Sequence, residues 1–414
     1  GNTIINELQI AWPGGVTQNF KDVQADQFYT ITEPAKGDLV DAGKIVPLYL
    51  EKERAPGGKH IEIVFNDFER QPLLPLKHSQ LGPGVAWGDV DGDGDDDLFM
   101  GGGRAFSGRL YVNEKGKFVD RSPDCFTEHK DCEDMAPLFV DVDGDGDRDL
   151  YVVSGGVECK PGAAVLGDRL YLNDGAGNFS KAPASALPDV TESGSVVCAA
   201  DFDRDGDIDL FVGGRVIPGR YPEVPASQLL LNDGKGAFTN AAPGSLAQTG
   251  LVTSALWSDV DADGWVDLLV THEWGPVKVF RNQEGQLIDA TKDSGVGELF
   301  GWWNSIAAGD IDADGDFDYA VGNVGLNSKY HASEDHPVLL YYGDMDGAGR
   351  PKIVEAEFEG KILYPVRGRS CSSNAMPGLK KKFPTFKSFA VAPLTDIYDD
   401  DTLAKSKKLS ANTL

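Results

Sequence analysis

Five nine-residue stretches gather much of the acid in this chain: DVDGDGDDD from Asp89, DVDGDGDRD from Asp141, DFDRDGDID from Asp201, DVDADGWVD from Asp259 and DIDADGDFD from Asp310. Each places a carboxylate at positions 1, 3, 5 and 9 and glycine at position 6. The side chains concerned are Asp89, Asp91, Asp93 and Asp97; Asp141, Asp143, Asp145 and Asp149; Asp201, Asp203, Asp205 and Asp209; Asp259, Asp261, Asp263 and Asp267; and Asp310, Asp312, Asp314 and Asp318. Position 7 is Asp95, Asp147, Asp207, Trp265 or Asp316, and the tryptophan there points to a ligand role for the backbone carbonyl. A hard cation takes six to eight oxygens at about 2.3–2.6 Å, and Ca²⁺ tolerates irregular geometry. Two carboxylates about 4 Å apart repel by ~1 kcal/mol in water and up to ~4 kcal/mol at an effective dielectric of 20. One such loop reads as a solvated turn. Five in register call for a counter-ion, so about five structural Ca²⁺ are expected. No His or Cys lies in any loop, which argues against zinc and copper. An EF-hand would need Glu at position 12 and flanking helices, whereas these loops close at position 9.

Short apolar segments must hold the loops. Val85-Ala86-Trp87, Leu138-Phe139-Val140 and Ala255-Leu256-Trp257 precede them; Leu98-Phe99-Met100, Leu150-Tyr151-Val152 and Leu268-Leu269-Val270 follow. Hairpin signatures come next, LYLNDGAGNF from Leu170 and LLLNDGKGAF from Leu229, because Asn-Asp-Gly tolerates the positive φ of tight turns. Strand, loop, strand and hairpin make four strands per repeat. Loop spacings of 52, 60, 58 and 51 residues suit one propeller blade each. The expected fold is all-β: five clear blades over 81–364, a small β unit at 1–34 and a connector at 35–80. A partly helical segment at 365–414 is either an insertion or the start of a further blade. Within 1–34, strands are expected through Leu8, Ile10 and Trp12 and around Phe28 to Ile31; within 35–80, at Ile61 to Phe65. The stretch from Gly343 lacks acids at positions 5 and 9, Ala348 and Lys352, and reads as the fifth blade's hairpin without a metal. Asp399-Asp400-Asp401-Thr402 reads as a helix cap, and Lys380 to Lys382 as a solvated helix face.

A net charge of −28, which five divalent ions would reduce to −18, argues against nucleic acid or an anionic membrane as partner. No apolar run is long enough to span a bilayer. Fifty Gly and 23 Pro agree with many tight turns. Of the five cysteines, Cys125 and Cys132 could pair across a loop, while Cys198 reads as an inert core thiol. The chain opens at Gly1 without a leader and stops at Leu414 short of a final hairpin. A processed segment of a longer polypeptide or assembly is therefore expected.

The loop pattern resembles the FG-GAP/VCBS repeat of integrin α-subunit propellers. ELQIAWPGGVTQNFKDVQADQFYTITE resembles an ASPIC/UnbV domain, and together they look like the cartilage acidic protein 1 family and its bacterial relatives. That resemblance implies seven blades and a secreted or cell-surface calcium-stabilised adhesion scaffold, with a protein or glycan as partner. The alternative is a carbohydrate-binding or carbohydrate-active protein with its site on the propeller face. An enzyme needs convergent acid, base or nucleophile. The loops after each second strand offer Arg104, Arg215, His272, Glu273, Trp274 and Asn323 as ligand-face candidates. Of these, His272-Glu273 is the one His/acid pair, and its bland reading is a hydrogen-bonded loop pair. Trp302 and Trp303 could stack on a sugar or pack between blades.

Overall fold

A computed structural model describes residues 4–11, 17–24, 31, 58–312 and 314–414. The chain divides into Gly1–Ala55 and Pro56–Leu414. In the first unit β1 (Ile4–Ala11) pairs antiparallel with β2 (Thr17–Gln24), Leu8 opposite Phe20. The strand expected at Phe28 to Ile31 falls largely outside the described residues, and the partner of the first strand is Thr17–Gln24 instead.

In the second unit each of the first four acidic loops joins the first two of four consecutive antiparallel strands; the first three sets are separate four-stranded sheets, and the fourth is part of a six-stranded one. The first sheet is β3 (Val85–Gly88), β4 (Asp97–Met100), β5 (Arg109–Asn113) and β6 (Phe118–Asp120). The second is β7 (Asp134–Val140), β8 (Asp149–Ser154), β9 (Arg169–Leu172) and β10 (Ser180–Lys181). The third is β11 (Ser193–Ala200), β12 (Asp209–Val216), β13 (Gln228–Asn232) and β14 (Phe238–Asn240). The fourth is β15 (Leu251–Ser258), β16 (Asp267–Gly275), β17 (Lys278–Gln283) and β18 (Gln286–Asp289). The fifth loop joins β19 (Gly301–Gly309) to β20 (Asp318–Asn323), and β19 also pairs with the end of β16 through Glu273 and Trp302.

Successive sheets meet through apolar seams, in which the outer hairpin of one blade plugs onto the blade before it. Tyr171 and Phe179 join Phe99, Leu110 and Val112 in the first seam. Leu230 and Phe238 join Tyr151, Val153 and Leu170 in the second. Phe280 and Leu287 join Phe211, Leu229 and Leu246 in the third.

Two expectations need correction. Ile61 to Phe65 form no strand; Ile61, Ile63 and Val64 are exposed, because no neighbouring strand in the described residues supplies a hydrogen-bonding edge for this alternation. The Gly343 stretch is indeed a hairpin turn, but not of the fifth blade. It joins β21 (Val338–Gly343) to β22 (Lys352–Glu359), in a separate sheet with β23 (Ile362–Pro365) and, on the other side, β24 (Lys407–Ala411). Short helices between β23 and β24 pack Leu379, Phe389, Leu394 and Ile397 onto that sheet and onto Trp274 and Trp302. Asp399 caps the helix Asp400–Lys405 by accepting from the Thr402 amide, and Lys380 to Lys382 line an exposed face, both as expected.

Candidate metal centres

Each acidic loop is an arch held by its own carboxylates. Asp89 accepts the Gly92 and Gly94 amides at 2.8 and 3.0 Å; Asp141 does the same for Gly144 and Gly146 at 2.8 and 3.1 Å. The position-9 carboxylate closes the arch by taking the position-2 amide, as Asp97 does from Val90 at 2.9 Å and Asp318 from Ile311 at 2.9 Å. Glycine at position 6 is required by the backbone. Gly94, Gly146, Gly206, Gly264 and Gly315 all have φ between +91° and +100°, a conformation that costs L residues strain.

The arches bring the predicted side chains together. Oxygens of Asp89, Asp91 and Asp97 lie within 4.8 Å of one another, as do those of Asp141, Asp143 and Asp149, of Asp201, Asp203 and Asp209, and of Asp310, Asp312 and Asp318. The fourth loop converges differently, through Asp259, Asp261 and Asp263. The reason is Arg281, whose guanidinium pairs with Asp261 and lies 3.5 Å from Asp267. Trp265 in that loop lies under the Arg204 guanidinium at 4.2 Å. In the other four loops the position-5 aspartates stand outside the closest set.

An all-oxygen donor set of this kind fits a hard divalent cation. Buried oxygens of Asp91, Asp143, Asp201 and Asp209 have no hydrogen-bond partner in the described residues, a costly condition for a carboxylate left alone. Burial, reinforced by the neighbouring carboxylates, pushes Asp147 up to about 6. Burial dominates likewise at Asp149 and Asp209, at about 6 and about 7.

Sequence reasoning missed the asparagine at or beside the end of each third strand. Asn173 donates to Val90 O of the preceding loop at 2.8 Å, Asn232 to Val142 O at 2.8 Å and Asn282 to Phe202 O at 2.7 Å. Their amides donate to Oδ1 of the position-9 aspartate of their own loop, at 2.7 to 2.9 Å. The signal was present in the recurring apolar-Asn of LYLN and LLLN, read there only as turn chemistry.

The ligand-face candidates do not form one site. Arg215, Glu273 and Trp274 do meet, but within strands rather than loops, and buried. Arg215 pairs with Glu273, which accepts from Tyr221 Oη at 3.0 Å, and Trp274 Nε1 donates to Tyr221 Oη at 2.6 Å. Burial alone would raise the Glu273 pKa; the Arg215 guanidinium overrides it and holds the carboxyl below its usual range. His272 alternates to the opposite face of β16, next to Thr249 and Pro276 O, each at 3.2 Å, and burial lowers it to about 3. The expected His272-Glu273 hydrogen-bonded pair is therefore absent. Arg104 turns to the Glu158 carbonyl at 2.5 Å, and Asn323 donates to Thr413 O at 3.0 Å. Trp302 and Trp303 are buried; Trp302 meets Trp274 edge-to-face at 4.7 Å. All five cysteines are free thiols, so Cys125 and Cys132 form no staple. Burial raises Cys198, in keeping with an inert core thiol.

The repeats and their arches define the class: the chain carries FG-GAP-like repeats and an ASPIC and UnbV segment. The FG-GAP-like repeat profile matches residues 89–152, 141–212 and 259–321, and the ASPIC and UnbV profile matches residues 1–38. The chain is similar to cartilage acidic protein 1 of Xenopus tropicalis, 26% identical over 268 residues, and that match covers 59% of this chain and 40% of that protein. It therefore spans well under two thirds of that relative. Among solved structures, BBS1N in complex with ARL6DN is 14% identical with a TM-score of 0.34, covering 69% of this chain and 79% of that one. The V. cholerae biofilm matrix protein Bap1 is 15% identical with a TM-score of 0.25, covering 66% and 34%. At these scores neither carries an argument. No helix of the described residues is long and apolar enough to cross a membrane.

Proposed function

We propose that the chain is a calcium-stabilised β-propeller scaffold that works outside the cytoplasm and binds a protein partner at the cell surface. The observation that carries this reading is the convergence of three aspartate oxygens in each of five loops. Asp89, Asp91 and Asp97, with their counterparts in the other loops, would hold Ca²⁺; the ion supplies charge neutralisation, and position-5 side chains with position-7 carbonyls complete the oxygen shell. Loops of extracellular modules often bind Ca²⁺ at about 10⁻⁴–10⁻³ M, concentrations met outside cells, which supports the location. The similarity to cartilage acidic protein 1 supports it further. Because Trp274, Trp302 and Trp303 are buried, no specific observation favours the carbohydrate alternative.

A site held at 100 times its Kd adds ~2.7 kcal/mol to stability. Metal analysis after dialysis against millimolar Ca²⁺ should return about five ions per chain, and chelation should lower the melting temperature sharply. Asp91→Asn should remove one equivalent. A calcium content near zero, or a melt indifferent to chelator, refutes the reading.

A further inference from the structure

The fifth blade differs from the other four at one edge. Among the described residues β20 pairs only with β19, whereas β4, β8, β12 and β16 each carry a third strand. Every residue of β8, β12 and β16 is buried, but in β20 five are half-buried and Ala320 is exposed. Asp318 loses cover with them, although its counterparts Asp97, Asp149, Asp209 and Asp267 are at most 1% exposed. Beside this edge lies a largely apolar cavity of about 390 Å³ between the fourth and fifth blades, walled by Val260, Leu269, Val277, Val279, Ile306 and Val321.

The three complete seams show what covers such a space. In each, the residue two before the third-strand asparagine (Tyr171, Leu230, Phe280) and one five or six after it (Phe179, Phe238, Leu287) fill the gap to the preceding blade. The asparagine then clips the position-2 carbonyl of the preceding loop. In the fourth loop that carbonyl is Val260 O, and Val260, on the cavity wall, is half-buried where Val90, Val142 and Phe202 are at most 3% exposed.

We infer that β20 and this cavity are the docking site for a β-hairpin of a partner protein, of the pattern apolar-any-Asn-turn-apolar. Its first strand adds antiparallel to β20. Its two apolar side chains enter the cavity. Its asparagine donates from the side chain to Val260 O and Phe317 O, and from the amide to Asp318 Oδ1. The inference stands apart from the calcium reading, since edge, cavity and clip are defined without an ion. An unpaired edge of this kind otherwise invites pairing with a second copy.

The test uses the chain with a fluorescein-labelled synthetic peptide of its own third-blade hairpin, Gln228–Asn240, in millimolar Ca²⁺. Saturable polarisation is expected, weakened at least tenfold by Asn232→Ala in the peptide and abolished by scrambling it. Hydrogen exchange of β20 amides should slow in the complex. Val321→Asp in the chain should abolish capture; the peptide variants keep the test decisive if that protein folds poorly. No binding up to millimolar peptide, equal binding of the Asn232→Ala or scrambled peptide, or a dimer of the chain dissolved by Val321→Asp overturns the inference.

Discussion

Replacing Asn232 by alanine isolates the clip between blades. Its Nδ2 donates to Val142 O at 2.8 Å and to Ile208 O at 3.2 Å, and the residue is 8% exposed. Alanine leaves both carbonyls without that donor. A buried acceptor stripped of its partner costs ~1–3 kcal/mol; with the longer bond counted at the low end, the loss is ~2–4 kcal/mol. Asn113 is the internal control, because the first blade has no described blade before it: its Nδ2 reaches only Asp96 O, at 3.2 Å and exposed. Asn113→Ala should cost less than ~1 kcal/mol. At ~2.1 cal/mol/K per residue, the second unit of roughly 360 residues shifts by ~1.3 °C per kcal/mol, so the two variants should melt a few degrees apart. Thermal unfolding in saturating Ca²⁺ reads the difference directly. Equal melting points, or a larger loss at Asn113, would show that the asparagines matter only through their turns.

Glu133 is pushed up to about 8 by burial and then by Glu62, Glu158 and Asp134. A folded-state pKa above the unfolded value means stability is complete below about pH 4.5, falls as pH rises towards 8 and is flat beyond. Glu133→Gln should remove that slope and out-melt the parent at pH 8–9 by a few kcal/mol, as read from melts across pH. Arg281→Ala should free Asp261 and Asp267 and tighten the calcium site proposed at the fourth loop about tenfold, or ~1.4 kcal/mol; calorimetric isotherms identical to the parent's would refute this. Arg215→Met should cost ~3–5 kcal/mol by stranding Glu273, and Glu273→Leu in the same chain should recover most of it. Urea midpoints of the four-member cycle decide.

The repeats were legible because each carries its own local instructions: acids at alternate positions, glycine at a positive φ, apolar strands of four to nine residues, and Asn-Asp-Gly turns. Those features predicted five four-stranded blades; the arches and four of the strand sets are as expected, while among the described residues the fifth repeat forms only β19 and β20. What spacing could not give was which strands meet across long separations. The Gly343 hairpin looked like part of the fifth blade because it follows it in sequence, yet β21 takes β24, about 70 residues later, as its neighbour. Arg281 lies outside the fourth nonapeptide, so its intrusion on Asp261 was invisible in the motif. His272 and Glu273 are adjacent in sequence, but strand alternation sends them to opposite faces. Arg215, Tyr221 and Glu273 meet only once the third and fourth blades pack side by side.

The asparagine clips also give the array a direction. In the described residues each reaches back to the loop before it: Asn173 to Val90, Asn232 to Val142, Asn282 to Phe202. The blades overlap like roof tiles laid from one eave. Lifting the fourth uncovers the third loop, whereas lifting the first leaves the second and third loops still clasped. Local opening should therefore spread from high residue numbers towards low. A lesion in one blade is felt by the acidic loop upstream of it, while the loop downstream keeps its fastening.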